Sequence, residues 1–261
     1  MTPLYVIGIG PGDHAHLTME AEAAIAAVTD VVGYGLYMDL LGDAMTGKRR
    51  HQRELGEETD RARMALDLAA SGKPTALISS GDIGIFAMAT LVFELLDHAN
   101  QGLENGRGWD RVDIQVMPGI SAMQLASARL GAILGHDFCA ISLSDLLTDW
   151  EVIDQRLNAA AKGDFVTAFY NPVSKRRDWQ LNHARTVYLE HRPPETPVIV
   201  ARNLGRDDER VEVIALAELE ASRVDMLTVV VIGSSTTRHI RFGRNEWVYT
   251  PRGYAKKRVE S

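Results

Sequence analysis

The chain has 261 residues, of which 46% are apolar and 24% charged, with a formal net charge of −7. This is the composition of a globular protein with one large or two modest domains, and it excludes disordered, collagen-like and disulfide-framed chains. The negative charge argues against general nucleic-acid binding, and the lone cysteine, Cys139, fits a core position in a reducing compartment.

Residues 4–9 read as an apolar strand that runs into a loop where Gly8, Gly10 and Gly12 alternate around Pro11 before Asp13. Bare backbone there can take positive φ and approach a ligand closely, and Pro11 stiffens the loop. The stretch is either the floor of a small-ligand site or a structural glycine turn. A nicotinamide dinucleotide fingerprint fits less well, because the third glycine falls one residue early and the helical run starts only near Thr18. The chain opens on a strand with no basic-then-apolar leader and holds no apolar run of about 20 residues, so a cytoplasmic location without a membrane partner is expected.

A helix is predicted over 18–28 and a strand over 31–33, leading into GYGLY at 33–37. Tyr34 and Tyr37 there are either core packing or the wall of a pocket for a flat ligand. Lys48, Arg49, Arg50 and Arg53 follow. Ala62, Ala65, Leu66 and Ala69 then repeat at helical spacing in a helix over 57–71 that Gly72 stops. A strand over 75–79 ends in SSGDIGIFAM, with Gly81 and Gly84 around Asp82, and Ile85, Met88, Ala89, Val92 and Leu96 form the buried face of the next helix. After a loop over 100–108, a strand over 113–117 meets Pro118-Gly119 and the capping-box spacing Ser121-x-x-Gln124.

The second half alternates less tidily. Strands are predicted over 138–142, 165–170, 198–201, 211–214 and 226–232. Helices are predicted over 149–162, with Thr148-x-x-Glu151 as a second capping box, and over 179–192. The organisation expected is an α/β fold with a first domain of residues 1–115, a second of 118–240 and a basic tail of 241–261, whose charge includes Lys256, Lys257 and Arg258. Ligands of such sheets gather beyond the carboxyl ends of strands.

GIGPGD at 8–13, SGDIGIF at 80–86, PGISAM at 118–123 and FYNP at 169–172, in this order, make the chain resemble the tetrapyrrole methylases. These are S-adenosylmethionine-dependent enzymes that modify uroporphyrinogen and the precorrins. GYGLY, SGDIGIFAM in place of the commoner GGDP, and YNPVSKRR are most similar to the branch that acts on precorrin-3B with ring contraction. The resemblance implies two α/β domains with a cleft, a homodimer, S-adenosylmethionine as cofactor with S-adenosylhomocysteine as product, and precorrin-3B as acceptor. By position it implies cofactor contacts at Gly10, Pro11, Ser80, Gly81, Asp82, Ile85, Ser121, Ala122, Asn171, Leu204 and Thr228. Asn171 and Leu204 stand where relatives carry methionine and glycine.

The implied acceptor is a polycarboxylate, so local cations must offset the acidic chain. Lys175, Arg176 and Arg177 are the first candidates for substrate binding, with Arg49, Arg50 and Arg53 next. Ring contraction asks for an acid or base, for which Asp82, His14, Tyr34 and Tyr37 are candidates that no constellation singles out. No His, Cys or carboxylate cluster has metal-site spacing, and no metal is expected. The alternatives are methylation of another precorrin position or of RNA, which the basic tail would serve, an NAD(P)-dependent oxidoreductase, and a ligand-binding module without turnover.

Overall fold

The computed structural model describes residues 1–104, 106–174 and 177–254. The chain divides into two compact units, Met1–Ala122 and Met123–Ser261. Among the described residues no helix is long and apolar enough to cross a membrane.

Unit 1 runs β1 (Thr2–Gly8), α1 (Met19–Ala27), β2 (Asp30–Gly33), α2 (Gly35–Leu40), β3 (Arg49–Gln52), α3 (Glu58–Ala70), β4 (Thr75–Ser79), α4 (Met88–Asn100) and β5 (Val112–Met117). Its strands form one parallel sheet in the order β3-β2-β4-β1-β5. Side chains alternate across the sheet, so both faces need a cover. Leu4, Val6, Val32 and Leu77 pack with α3 and α4, whereas Ile7, Val31, Ala76 and Ile78, one residue out of phase, pack with α1 and α2. The predicted stripe of α3 is fully buried, and Thr18 caps α1 by accepting the Ala21 N–H at 3.1 Å.

The division between units falls at the start of α5 (Ala122–Leu130). Unit 2 continues with β6 (Gly131–Ala132), β7 (Phe138–Ser142), α6 (Trp150–Lys162), β8 (Val166–Tyr170), α7 (Trp179–Leu189), β9 (Pro197–Arg202), β10 (Arg210–Ala215), β11 (Thr228–Ile232), β12 (Arg238–Phe242) and β13 (Asn245–Tyr249). The main sheet has the order β10-β9-β11-β8-β7, and only β7 and β8 are parallel in it. Leu157, Leu181 and Tyr188 from the helices fill a core against Phe169, Val200 and Val230.

Several expectations need correction. The segment 241–249, assigned to a basic tail, pairs instead as the hairpin β12-β13, which joins β6 in a third sheet. Lys256, Lys257 and Arg258 lie outside the described residues. The second capping box does not form: α6 starts at Trp150, so Thr148 stands one residue too early, and the N-cap Asp149 makes no side-chain capping bond. On α4, Leu95 takes the buried place expected of Leu96, which is half-buried. The helix predicted to reach Arg192 stops at Leu189. Arg192 turns inward, donates to the Phe165 carbonyl at 2.7 Å and lies 4.4 Å over the Tyr188 ring.

Arg49, offered as a substrate cation, is instead half of a clamp at the amino end of the sheet. It donates twice to the fully buried carboxylate of Asp30, at 2.9 and 2.7 Å, and His51 lies 2.8 Å and the Thr29 hydroxyl 2.6 Å from the same group. The Arg49 hydrogen bonds, helped by those of Thr29 and His51, hold Asp30 well below the usual carboxylate range. A carboxylate whose pKa is depressed on folding adds stability above its unfolded value and loses it as the pH falls through the folded one. Arg49→Ala is therefore expected to lower stability at neutral pH, measured by urea unfolding. The gap to the parent protein should close as the pH drops below about 4.

Candidate functional site

In a parallel sheet, loops leaving the carboxyl ends of adjacent strands are neighbours. β4, β1 and β5 are adjacent, and each ends in one of the glycine turns, at 79–86, 8–13 and 118–121. These turns meet backbone to backbone. The Gly10 N–H donates to the Gly81 carbonyl at 3.1 Å and the Gly81 N–H to the Gly10 carbonyl at 2.8 Å. A Cβ on Gly8 would lie 2.7 Å from the Gly81 carbonyl oxygen and 2.8 Å from the amide nitrogens of Gly119 and Ile83, so no side chain fits there. Gly119 is closed in the same way by the carbonyls of Gly81 and Gly8. Gly81 differs: its φ is +71°, and no atom lies within 4 Å of the place its Cβ would take. Two glycines let the strand ends touch, and the third presents bare backbone to open space.

Asp82 holds this junction together. Its Oδ1 accepts the Gly84 N–H at 2.8 Å and its Oδ2 the Gly119 N–H at 3.0 Å, which ties the β4 turn to the β5 turn. The Ser80 hydroxyl donates to the Gly10 carbonyl at 3.4 Å, and fully buried Ile83 anchors the same turn in the core. Beyond it, Ile85 is half-buried and Phe86 stands exposed with a left-handed φ of +51°. Pro11 is buried in the first turn, and Ser121, buried, immediately precedes Ala122 at the start of α5.

The acid–base candidates are placed unevenly. Asp82 already spends an oxygen on each of two backbone N–H groups, so it is an organiser of the turns rather than a free base. His14 is exposed and lies 3.2 Å from Glu22 of α1. Tyr34 and Tyr37 sit at the exit of β2, beside β4, edge to face with ring centroids 5.4 Å apart.

Unit 2 gathers its own predicted residues at one edge of its sheet. Asn171 directly follows β8 and Thr228 opens β11, the antiparallel neighbour of β8. Thr228 pairs on its other side with Arg202, two residues before buried Leu204. Asn171 has a φ of +51° and donates from its side chain to the Ser142 hydroxyl at 3.0 Å. Thr228 donates its hydroxyl to Asp225 at 2.8 Å.

Arg177, expected as a substrate cation, is buried and committed elsewhere. Its Nη1 donates to the carbonyls of Leu143 at 2.7 Å and Asn171 at 2.9 Å, and Nε lies 3.6 Å from Asp145. Burial pulls its pKa down against the opposing charge of Asp145. The guanidinium thus laces the exits of β7 and β8 together. Lys175 and Arg176 lie outside the described residues. In unit 1, Arg50 pairs with Asp39 at 2.6 Å, and Arg53 donates to the Gln52 carbonyl at 2.9 Å.

A family model described as tetrapyrrole (corrin/porphyrin) methylases matches residues 3–220. The chain belongs to this family. Among curated relatives of this tetrapyrrole methylase, a protein of Sinorhizobium sp named precorrin-3B C(17)-methyltransferase is 46% identical over 97% of both chains. A Salmonella typhimurium protein named probable cobalt-factor III C(17)-methyltransferase is 42% identical over 96% of this chain and 99% of its own. The crystal structure titled as the methyltransferase CobJ superposes with a TM-score of 0.87 at 39% identity, covering 96% of this chain and 100% of that one.

The sequence reading found the three turns of this methylase but missed the roles of Gly8, Gly119 and Phe86. Gly119 carried a signal in its Pro-Gly pair, whereas a left-handed phenylalanine carries none. The geometry ranks the glycines. Gly8→Ala should destabilise the protein far more than Gly81→Ala, since the first drives a methyl into three backbone atoms and the second bears only the positive-φ cost of about 1–2 kcal/mol; thermal unfolding of the two variants checks the order. Arg177→Ala should lower stability by roughly 2 kcal/mol, because it orphans buried carbonyls. Arg177→Lys should not restore it, since an ammonium lacks the planar fork.

Proposed function

We propose that this methylase transfers a methyl group from S-adenosylmethionine to C17 of precorrin-3B, with contraction of the macrocycle. The observation that carries the reading is the meeting of three glycine-marked turns at the carboxyl edge of the unit 1 sheet, with Gly81 open where any other residue would place a Cβ. The full-length relative named precorrin-3B C(17)-methyltransferase supports the choice of acceptor.

The residues present fit the cofactor by what they lack. A folded nucleoside–amino acid conjugate can lie against Gly10, Pro11 and Gly81 with main-chain groups as its partners, while Ser80 and Asp82 keep the turns in place. Ser121 and Ala122 extend this floor in unit 1. Bound S-adenosylmethionine supplies a methyl group already activated by its sulfonium, so the chain needs no strong nucleophile. Its residues have to fix the acceptor carbon in line and exclude water, and such positioning is worth up to about 7–11 kcal/mol of barrier. Rigid turns locked by backbone hydrogen bonds suit that task.

Calorimetry should show S-adenosylhomocysteine binding to the purified protein with no heat from NAD or NADP. Gly81→Ala should weaken that binding while the protein stays folded. Incubation with labelled S-adenosylmethionine and either precorrin-3B or cobalt-factor III should yield a product one methyl heavier from the first. Methylation of the cobalt compound alone would move the assignment to that substrate, and binding of NAD without S-adenosylhomocysteine would end the methyltransferase reading.

A further inference from the structure

Four residues other than glycine have a positive φ among the described residues: Phe86, Asp164, Asn171 and Asn203. Three are Asn or Asp, whose short polar side chains hydrogen-bond locally and tolerate that conformation. The fourth is a bulky aromatic, for which that conformation is an outlier. Phe86 is also 52% exposed, so strained backbone and wetted apolar surface coincide at one residue. It closes the turn at the carboxyl end of β4. Ile83, three residues earlier, is fully buried, and Asp82 binds the Gly84 and Gly119 amides. Strain of this kind persists only where its surroundings over-determine it, and it clusters at ligand sites.

We propose that Phe86 is a positioning residue for the tetrapyrrole acceptor, its ring taking an apolar face of the macrocycle beyond the bare glycine floor. The inference rests on the function proposed above. A polycarboxylate macrocycle offers an acidic protein one surface that carries no charge, the faces and edges of its unsaturated rings. An aromatic side chain meets such a surface by stacking or edge contact without an electrostatic penalty. The cofactor, by contrast, is assigned to main-chain groups around Gly10 and Gly81.

Phe86→Gly tests this cleanly, because glycine accepts the left-handed backbone and removes the exposed ring together. S-adenosylhomocysteine affinity should be unchanged, while the KM for precorrin-3B climbs about tenfold to a hundredfold. Phe86→Tyr, which keeps the ring, should restore the KM. An unchanged KM in Phe86→Gly, with the parent protein turning over normally, would overturn this inference alone. A matched loss of S-adenosylhomocysteine affinity would give the ring to the cofactor and overturn it too. A fall in melting temperature that Phe86→Tyr reverses, without a KM effect, would reduce the ring to a packing element. A parent protein that binds no tetrapyrrole would overturn the proposed function and this inference with it.

Discussion

The contact on which unit 1 depends is one between main chains. Gly8 and Gly119 let three strand exits approach until carbonyl oxygen meets amide nitrogen with nothing between them. The geometry of the turns at the carboxyl edge of that sheet follows from this closeness. An isolated antiparallel bridge between Gly10 and Gly81 joins the exits of β1 and β4 past the end of both strands, and the Asp82 carboxylate accepts the Gly119 N–H. The result is a surface of peptide groups held in place by backbone hydrogen bonds and by the Asp82 carboxylate.

Unit 2 reaches a comparable stiffness by the opposite route. Its parallel pair β7 and β8 also ends in adjacent loops, but a large side chain fills the gap between them, as Arg177 threads under both and takes their carbonyls. A guanidinium in that place can donate to several acceptors at fixed angles, which explains why a cation is tolerated in a buried position. The same interaction explains why it is a poor candidate for gripping a substrate carboxylate.

Local periodicity made much of this legible from sequence. The α3 stripe, the apolar β11 and the three glycine turns are each encoded within a dozen residues, and the parallel order that makes the turns neighbours follows from α/β alternation. What stayed hidden depends on partners far along the chain. Arg49 reads as a loose cation because Asp30 stands 19 positions away, and Arg177 because Leu143 stands 34 positions away. The hairpin β12-β13 was read as tail because all five residues of β12 are exposed, so no alternation of apolar and polar residues marks it. Phe86 was passed over because its interest lies in a backbone angle.

The short strand β3 has a further consequence. It is the outermost strand of the unit 1 sheet on the β2 side, four residues long with the sequence Arg-Arg-His-Gln, and three of those four are exposed. An unprotected rim on an apolar sheet invites intermolecular pairing, and short, cation-rich borders discourage it. Behind β3 lies β2, whose residues are all buried and whose valines would template such pairing if uncovered. By pinning β3 to β2, the Asp30 clamp doubles as a guard against aggregation, set at the end of the sheet opposite the glycine turns, where protection of solubility and the demands of ligand binding do not compete for the same residues.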